Sequence, residues 1–177
     1  AAAVRTDTFK PSIPAWALDQ GAAIVNDVWG LQHDPEMAPL VAKRGVPVIV
    51  MHNRESADSD IDIVAGVIEF FSRSLEIAAR AGIARGNIVL DPGIGFGKTP
   101  EQSITCIARL GEFKRFSLPL LVGASRKRFI NTETPSAPDE RSNVGGWKTG
   151  EIGANRLEVE CLVRIRDAAW RRSRLVF

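Results

Sequence analysis

The stretch 88–101, IVLDPGIGFGKTPE, joins an apolar triplet to an acid, a proline, three alternating glycines and a lysine. A phosphate-binding loop is the first interpretation, but neither nucleotide motif fits. The P-loop pattern requires a glycine where Pro92 stands, and the dinucleotide pattern G-x-G-x-x-G differs from the spacing of Gly93, Gly95 and Gly97. The stretch therefore predicts a strand followed by a glycine turn, without a nucleotide signature.

The end of the same stretch predicts where the next helix begins. Thr99 has the residue type of an N-cap, Pro100 stands at the first helical position, and Gln102 stands three residues after the threonine. This pattern is a capping box, in which the two side chains satisfy unpaired backbone N–H groups of the first turn. Thr99 thus has a structural role that needs no magnesium ion.

Short apolar runs rich in β-branched residues alternate along the chain with longer segments of helical character. Residues 60–81 carry a helical stripe that ends at Gly82, and Asp34-Pro35 and Gly45 have the residue types of a helix start and a helix end. Pro39 predicts an irregular first turn in that helix. Strands alternating with helices predict an α/β fold with a parallel sheet. The predicted strands are residues 4–6, 23–26, 47–51, 88–91, 119–123 and 161–165.

Composition favours a soluble globular chain and excludes several classes. The 177 residues are 45% hydrophobic and 25% charged, which is ordinary for one domain with a substantial core. A net charge of +2 does not favour nucleic acid, and we expect the arginine-rich C-terminus to be the solvated face of a helix. No apolar run approaches the roughly 20 residues of a membrane span. Two distant cysteines indicate neither a disulfide framework nor a zinc site, so a reducing, cytoplasmic setting fits best.

Polar residues follow nearly every predicted strand. Taken singly, each has a structural interpretation: Asp7 or Asp27 can cap a turn, His52 can be a hydrogen-bonded core residue, and Asp91 before proline can form an Asx turn. Taken together they indicate an active face, because catalytic groups of parallel α/β folds collect at the carboxyl ends of the strands. The strand-end groups are Thr6-Asp7, Asn26-Asp27, His52-Asn53, Asp91, Ser125-Arg126-Lys127 and Arg164-Ile165-Arg166-Asp167.

These residues carry a family resemblance. The chain resembles dihydropteroate synthase of the folate pathway, and the matching stretches occur in the family's order over roughly residues 4–141. The resemblance implies a parallel (β/α)8 TIM barrel and a transferase, the sulfonamide target, that joins 6-hydroxymethyl-7,8-dihydropterin pyrophosphate to p-aminobenzoate and releases pyrophosphate. The stretches are TDTFKP (6–11), GAAIVNDVWG (21–30), VPVIVMHNR (46–54), LDPGIGFGKTPEQ (90–102), LPLLVGASRKRFI (118–130) and DER (139–141).

The resemblance also implies roles for individual residues. Asp7, Asp91 and Lys127 are the expected catalytic groups, with Asp91 accepting N–H bonds from the flat pterin ring. Magnesium is expected for the family, and no residue of this chain is assigned as its ligand. The expected substrate-binding residues are Asn26, Met51, Gly95, Phe96, Ser125, Arg126, Arg164 and Arg166.

The sequence departs from the family pattern at both ends. It starts in what would be the third barrel strand, so we expect a single pterin-binding domain over residues 1–177 with about six of the eight β/α units. The asparagine that ligates magnesium in the family is then absent, and we expect turnover by this chain alone to be weak or absent. Near the C-terminus, Arg166 replaces an expected histidine and cannot act as a neutral imidazole.

Alternatives remain open at this stage. A pterin-dependent methyltransferase domain shares the barrel and the pterin pocket, and an inactive pterin-binding fragment would explain the missing strands. The synthase is favoured by the Ser125-Arg126-Lys127 motif. The resemblance implies small-molecule substrates, no nucleic acid, no membrane and a homodimer.

Overall fold

The computed structural model describes residues 5–8, 12–123, 159–163 and 171–175. Strands and helices alternate through the first two of these ranges, as predicted. Short 3-10 helices lie at Arg85–Asn87 and Leu110–Phe116. The other elements are β1 (Arg5–Thr8), α1 (Ser12–Asp19), β2 (Ile24–Asp27), α2 (Met37–Arg44), β3 (Val48–Met51), α3 (Ile63–Ala81), β4 (Ile88–Asp91), α4 (Pro100–Ala108), β5 (Val159–Val163) and β6 (Arg171–Leu175).

The first four strands form one sheet in the order β1-β2-β3-β4, and every neighbouring pair is parallel. The predicted parallel α/β class is therefore confirmed. The predicted strand 119–123 is wrong in extent, because its described backbone pairs with β4 at a single parallel bridge, Leu90 to Leu120. Two hydrogen bonds make this bridge: Leu90 N donates to Pro119 O at 2.9 Å, and Leu121 N donates to Leu90 O at 2.8 Å.

The sheet has two distinct faces. Val25, Val48, Val50 and Leu90 are all fully buried and belong to the hydrophobic core that the sheet shares with the helices. Side chains alternate between the faces of a strand, so the intervening residues point to the opposite face. That opposite face carries the polar strand-end residues of the candidate site.

Helix α3 supplies much of the core. Val64, Val67, Phe71 and Ala78 are fully buried on it, at the helical spacing that the sequence predicts. Asp62 caps its first turn by accepting N–H bonds from Val64 and Ala65, at 2.9 and 3.2 Å. The helix ends at Gly82 with φ 82°, which confirms the predicted C-cap. Among the described helices, none is long and apolar enough to cross a bilayer.

The predicted start of α2 is wrong by two residues, since Asp34 and Pro35 were expected as the N-cap and the first helical residue. The helix begins at Met37 with Glu36 as its N-cap, and Asp34 instead accepts the Glu36 N–H at 2.9 Å in a local turn. Pro39 then lies in the first helical turn, where its missing N–H needs no intrahelical partner. The predicted end is confirmed, since Gly45 adopts a left-handed conformation with φ 63°.

The C-terminal elements also differ from the expectation. The strand predicted at residues 161–165 is found two residues earlier, at Val159–Val163 (β5). The arginine-rich segment that was expected in a helix includes the strand Arg171–Leu175 (β6). The two strands pair antiparallel with each other, with Glu160 opposite Arg174. Local sequence patterns do not reveal such a ladder, because paired strands meet in space and not along the sequence.

Candidate active site at the carboxyl ends of the strands

Three of the predicted site residues share one face of the sheet. Asn26 pairs in register with Ile49, and Met51 pairs with Asp91. Because Met51 is two residues beyond Ile49, the alternation of side chains puts Asn26, Met51 and Asp91 on the face opposite the helices. All three are buried, with 5%, 3% and 7% of their surface exposed. Neighbouring strands lie about 4.8 Å apart, so these groups line a common surface.

The remaining predicted residues are Asp7, the pair Gly95 and Phe96 in the loop after β4, and five residues later in the chain. Asp7 lies in β1 and is the register partner of Asn26, which places it at the same level of the sheet. Its role stays a prediction. Ser125, Arg126, Lys127, Arg164 and Arg166 lie outside the described residues.

Asp91 immediately precedes residues 92–98, which we call the glycine loop. Its Oδ1 accepts the N–H of Gly93 at 2.8 Å, which is the Asx turn that the sequence offered as one interpretation. This bond leaves the carboxylate at the strand end and uses one of its acceptor positions. The structural and the functional interpretations of Asp91 are therefore compatible.

The glycines of this loop are required by contacts with the segment after β3. A Cβ on Gly93 would lie 2.0 Å from the carbonyl oxygen of His52, and a Cβ on Gly97 would lie 2.6 Å from that of Arg54. Both glycines also have positive φ, 63° and 53°. At these two positions the glycines thus permit a close approach of backbone to backbone.

Lys98 is the residue that first suggested phosphate, and the structure buries it. Its ammonium donates to the carbonyl oxygens of Gly93 at 2.9 Å and Phe96 at 3.1 Å, and lies 2.7 Å from Nδ1 of His52. Only 9% of the residue is exposed. An ammonium has three N–H donors, and these three contacts bind the two loops together.

His52 is neutral in this position. Burial, together with the nearby charges of Lys98, Arg54 and Arg73, lowers the pKa of its imidazole to about 3. The ring packs edge-on against Phe70, with centroids 4.9 Å apart. A neutral Nδ1 accepts from the Lys98 ammonium, which assigns the ring proton to Nε2.

Asp27 lies beside Asn26 in sequence but has a different role. Its two carboxylate oxygens accept the N–H groups of Trp29 at 3.0 Å and Leu31 at 2.7 Å, and so close the turn after β2. Burial raises the pKa of the Asp27 carboxyl above its usual range, while these two N–H bonds oppose the shift. The capping interpretation of Asp27 is confirmed.

Phe96 and Gly95 lie at the exposed tip of the glycine loop. Phe96 is 39% exposed and, with Ile13 and Trp16, is one of the exposed large apolar side chains among the described residues. Gly95 has φ 78°, and its N–H donates to the Ser103 hydroxyl at 3.3 Å. Their predicted contact with a flat ring stays a prediction.

No metal site is formed by the part of the chain that the structure describes. It contains no group of three or more His, Cys, Asp or Glu side chains that could hold an ion. Asp27, the carboxylate next to Asn26, is engaged by backbone N–H groups. These residues do not fit a magnesium site, and we assign no ligand or chemical step to the ion.

One feature of this site was not predicted from the sequence. The partnership of His52 and Lys98 joins residues 46 positions apart. A lysine after a glycine turn is equally compatible with a solvent-exposed phosphate ligand. Only the position of the β3 loop next to the turn distinguishes the two arrangements.

Comparison with known proteins gives the family. Residues 2–149 match the family described as pterin binding enzyme. Dihydropteroate synthase of Bacillus subtilis (strain 168) is 38% identical over 165 residues, which are 93% of this chain and 56% of the relative. That of Escherichia coli (strain K12) is 37% identical over 170 residues, 93% of this chain and 59% of the relative. The chain thus spans less than two thirds of the length of these relatives.

Solved structures agree with the sequence comparison. The dihydropteroate synthase of Clostridium difficile, crystallised in the presence of pteroic acid, matches with a TM-score of 0.80 and 39% identity, covering 86% of this chain and 58% of that one. The Xanthomonas albilineans enzyme in complex with 7,8-dihydropteroate matches with a TM-score of 0.77 and 32% identity, covering 85% and 56%. The predicted barrel class is confirmed by these matches. On the match over residues 2–149 and on this shared fold, the chain belongs to the family of pterin binding enzymes.

Proposed function

We propose that the chain carries the pterin-binding part of a dihydropteroate synthase. The reaction condenses 6-hydroxymethyl-7,8-dihydropterin pyrophosphate with p-aminobenzoate, giving 7,8-dihydropteroate and pyrophosphate. The observation that carries the proposal is the common surface of Asn26, Met51 and Asp91 at the carboxyl ends of adjacent parallel strands. The relatives named above support this reaction over methyl transfer, because they are dihydropteroate synthases.

The buried acid and amide suit a pterin. The ring presents amide and amino N–H donors along one edge, and in this proposal the Asp91 carboxylate accepts them while Asn26 contacts a second polar edge. Met51 offers apolar contact from the neighbouring strand. With 7% of Asp91 exposed, water screens its charge weakly.

The same charge serves the chemical step. As the bond between the methylene carbon and the pyrophosphate oxygen breaks, the pyrophosphate leaves with the electron pair and the pterin carries the positive charge. The arylamine nitrogen of p-aminobenzoate then forms the new bond to that carbon and releases one of its protons to solvent. A fixed carboxylate near the ring stabilises this charge without reorganising. Asp7, at the register level of Asn26, is the second such group that we propose.

Calorimetry with 6-hydroxymethylpterin tests the site directly. Asp91→Asn keeps an oxygen to accept the Gly93 N–H but removes the charge, so the fold is retained. We expect the affinity for the pterin to fall about tenfold to a hundredfold, the usual loss for a charged hydrogen bond. Asp60→Asn, at an exposed position, is the matched control and should leave the affinity unchanged. An affinity untouched by Asp91→Asn would overturn the proposed pocket.

A pyrophosphate-release assay with both substrates tests the reaction. We expect the chain by itself to bind the pterin while its turnover is weak or absent. Turnover at the rate of a full-length relative would refute the inactive-fragment expectation. Sedimentation and cell fractionation test the accompanying proposals of a homodimer in the cytoplasm, and limited proteolysis tests the proposed single domain over residues 1–177.

A further inference from the structure

Four residues at the base of the glycine loop form a closed set of hydrogen bonds. Gly93 N donates to Asp91 Oδ1 at 2.8 Å, and Gly93 O accepts from Lys98 Nζ at 2.9 Å. Lys98 Nζ lies 2.7 Å from His52 Nδ1, and His52 N donates to Asp91 O at 2.8 Å. We call Asp91, Gly93, Lys98 and His52 the four-residue ring. It begins and ends at the residue proposed to bind the pterin.

The four-residue ring also holds the backbone of Phe96. The Phe96 carbonyl oxygen accepts an N–H from the Lys98 ammonium at 3.1 Å, although the Phe96 side chain is 39% exposed at the tip of the loop. Lys98 therefore holds the backbone of Phe96 in place, while the aromatic side chain of Phe96 is exposed. A buried ammonium that loses an acceptor raises the free energy of the protein, so a change of the loop conformation is unfavourable.

His52 stands on the helix side of the sheet. It follows Met51, which faces the opposite surface, and its imidazole packs on Phe70 of α3. Through His52, Lys98 is thus anchored to the hydrophobic core. Loops that carry binding residues are precise when a rigid scaffold holds them in this way.

We propose that Lys98 and His52 are positioning residues that hold Asp91 and Phe96 in the geometry for binding a pterin, and that Lys98 is not a ligand of pyrophosphate. The inference rests on the proposed function, since it names how the pterin site is held. The pair touches no reacting atom. It acts through the conformation of residues 91–98.

Hydrogen exchange of the full chain tests the conformational part independently of any ligand. Lys98→Met keeps the apolar stem and removes the ammonium. We expect the amides of Gly93, Gly95 and Phe96 to exchange about tenfold faster or more, while those in α3 exchange as before. Lys43→Met, at an exposed position in the last turn of α2, is the matched control and should change neither.

Pterin and anion affinity test the functional part. In Lys98→Met we expect the dissociation constant for 6-hydroxymethylpterin to rise about tenfold, as when a supporting side chain is lost, and that for inorganic pyrophosphate to stay unchanged. His52→Phe should have the same effect. The double variant should cost little more than either single one, because both changes break one unit. Phe113→Leu loosens the core at a fully buried ring that packs against Phe71 rather than against His52, and should leave pterin affinity unchanged well below its melting temperature.

The outcomes separate the two claims. Unchanged exchange in Lys98→Met would overturn the inference whatever the pterin data show. A loss of pyrophosphate affinity with unchanged pterin affinity would overturn it too, by making Lys98 an anion ligand. Failure of the unmodified chain to bind the pterin would refute the proposed function, while faster exchange in Lys98→Met would still establish that Lys98 holds the loop. A loss of pterin affinity in Phe113→Leu equal to that in Lys98→Met would show that the pair contributes only general stability, and would overturn the positioning role.

Discussion

The ammonium of Lys98 lies 2.7 Å from Nδ1 of His52, in a place that leaves 9% of the lysine and 2% of the histidine exposed. This contact joins the loop after β4 to the loop after β3. It requires the histidine to be neutral, because a buried imidazolium beside an ammonium would be strongly unfavourable. The contact therefore makes predictions about stability as well as binding.

The first prediction concerns pH. Unfolded His52 takes up a proton near pH 6.5, whereas the folded residue does so only near its pKa of about 3. The unfolded state binds more protons between these values, so stability is lost as pH falls from about 6.5 toward 3. The contribution approaches about 1.4 kcal/mol per pH unit.

Urea unfolding at pH 7, 6 and 5 measures this effect. His52→Phe should be less stable at pH 7, since Lys98 loses an acceptor, but its stability should fall less steeply. Asp27 contributes the opposite slope, because burial raises the pKa of its carboxyl, and it does so equally in both proteins. Parallel stability curves for the two proteins would contradict the neutral, buried histidine.

The second prediction separates two costs of replacing a glycine. Gly82→Ala places a Cβ in open space at φ 82°, so it should cost only the left-handed strain of about 1 kcal/mol. Gly93→Ala adds an overlap with the His52 carbonyl oxygen at 2.0 Å and should cost about 3 kcal/mol or more. Chemical denaturation compares the two. Equal losses would show that the close packing of the glycine loop on His52 is not important for stability.

The third prediction concerns the capping box of α4. The Thr99 hydroxyl accepts the Gln102 N–H at 3.2 Å, and the Gln102 amide oxygen accepts the Thr99 N–H at 3.0 Å. Thr99→Ala should lower the free energy of unfolding by about 1 kcal/mol and leave pyrophosphate affinity unchanged. Thr105→Ala, within the same helix, should be close to neutral. Loss of pyrophosphate affinity at unchanged stability would restore the phosphate-loop interpretation.

The fourth prediction distinguishes the adjacent pair Asn26 and Asp27. Asp27→Asn removes one of two acceptors that hold the turn and its residue Leu31, whose φ is 67°. It should cost about 2 kcal/mol of stability and leave pterin affinity unchanged. Asn26→Ala should do the reverse: it should weaken pterin binding and change the stability little. Calorimetry and urea unfolding on both variants decide, and a pterin defect in Asp27→Asn would move Asp27 into the site.

Local chemistry made much of the fold predictable. The run IVLD, the capping residues Thr99 and Gln102, and the terminal glycines Gly45 and Gly82 depend on neighbours within a few residues, and the structure confirms them. The start of α2 was predicted wrongly because Asp34 forms a turn in place of a cap, and both uses depend on the same side-chain oxygen. Elements that depend on distant partners were harder, as the single bridge at Leu120 and the antiparallel pairing of β5 with β6 show.

By itself, the sequence determined the parallel α/β class, the family, and the set of polar residues at the strand ends, because strand alternation and capping are local and the family motifs are contiguous. The tertiary structure decided how those residues divide. Register put Asn26, Met51 and Asp91 on one face, and the approach of two loops turned Lys98 inward onto His52. An ammonium after a glycine turn can face water or carbonyl oxygens, and only the packing of the loop against the segment after β3 fixes which of these it meets.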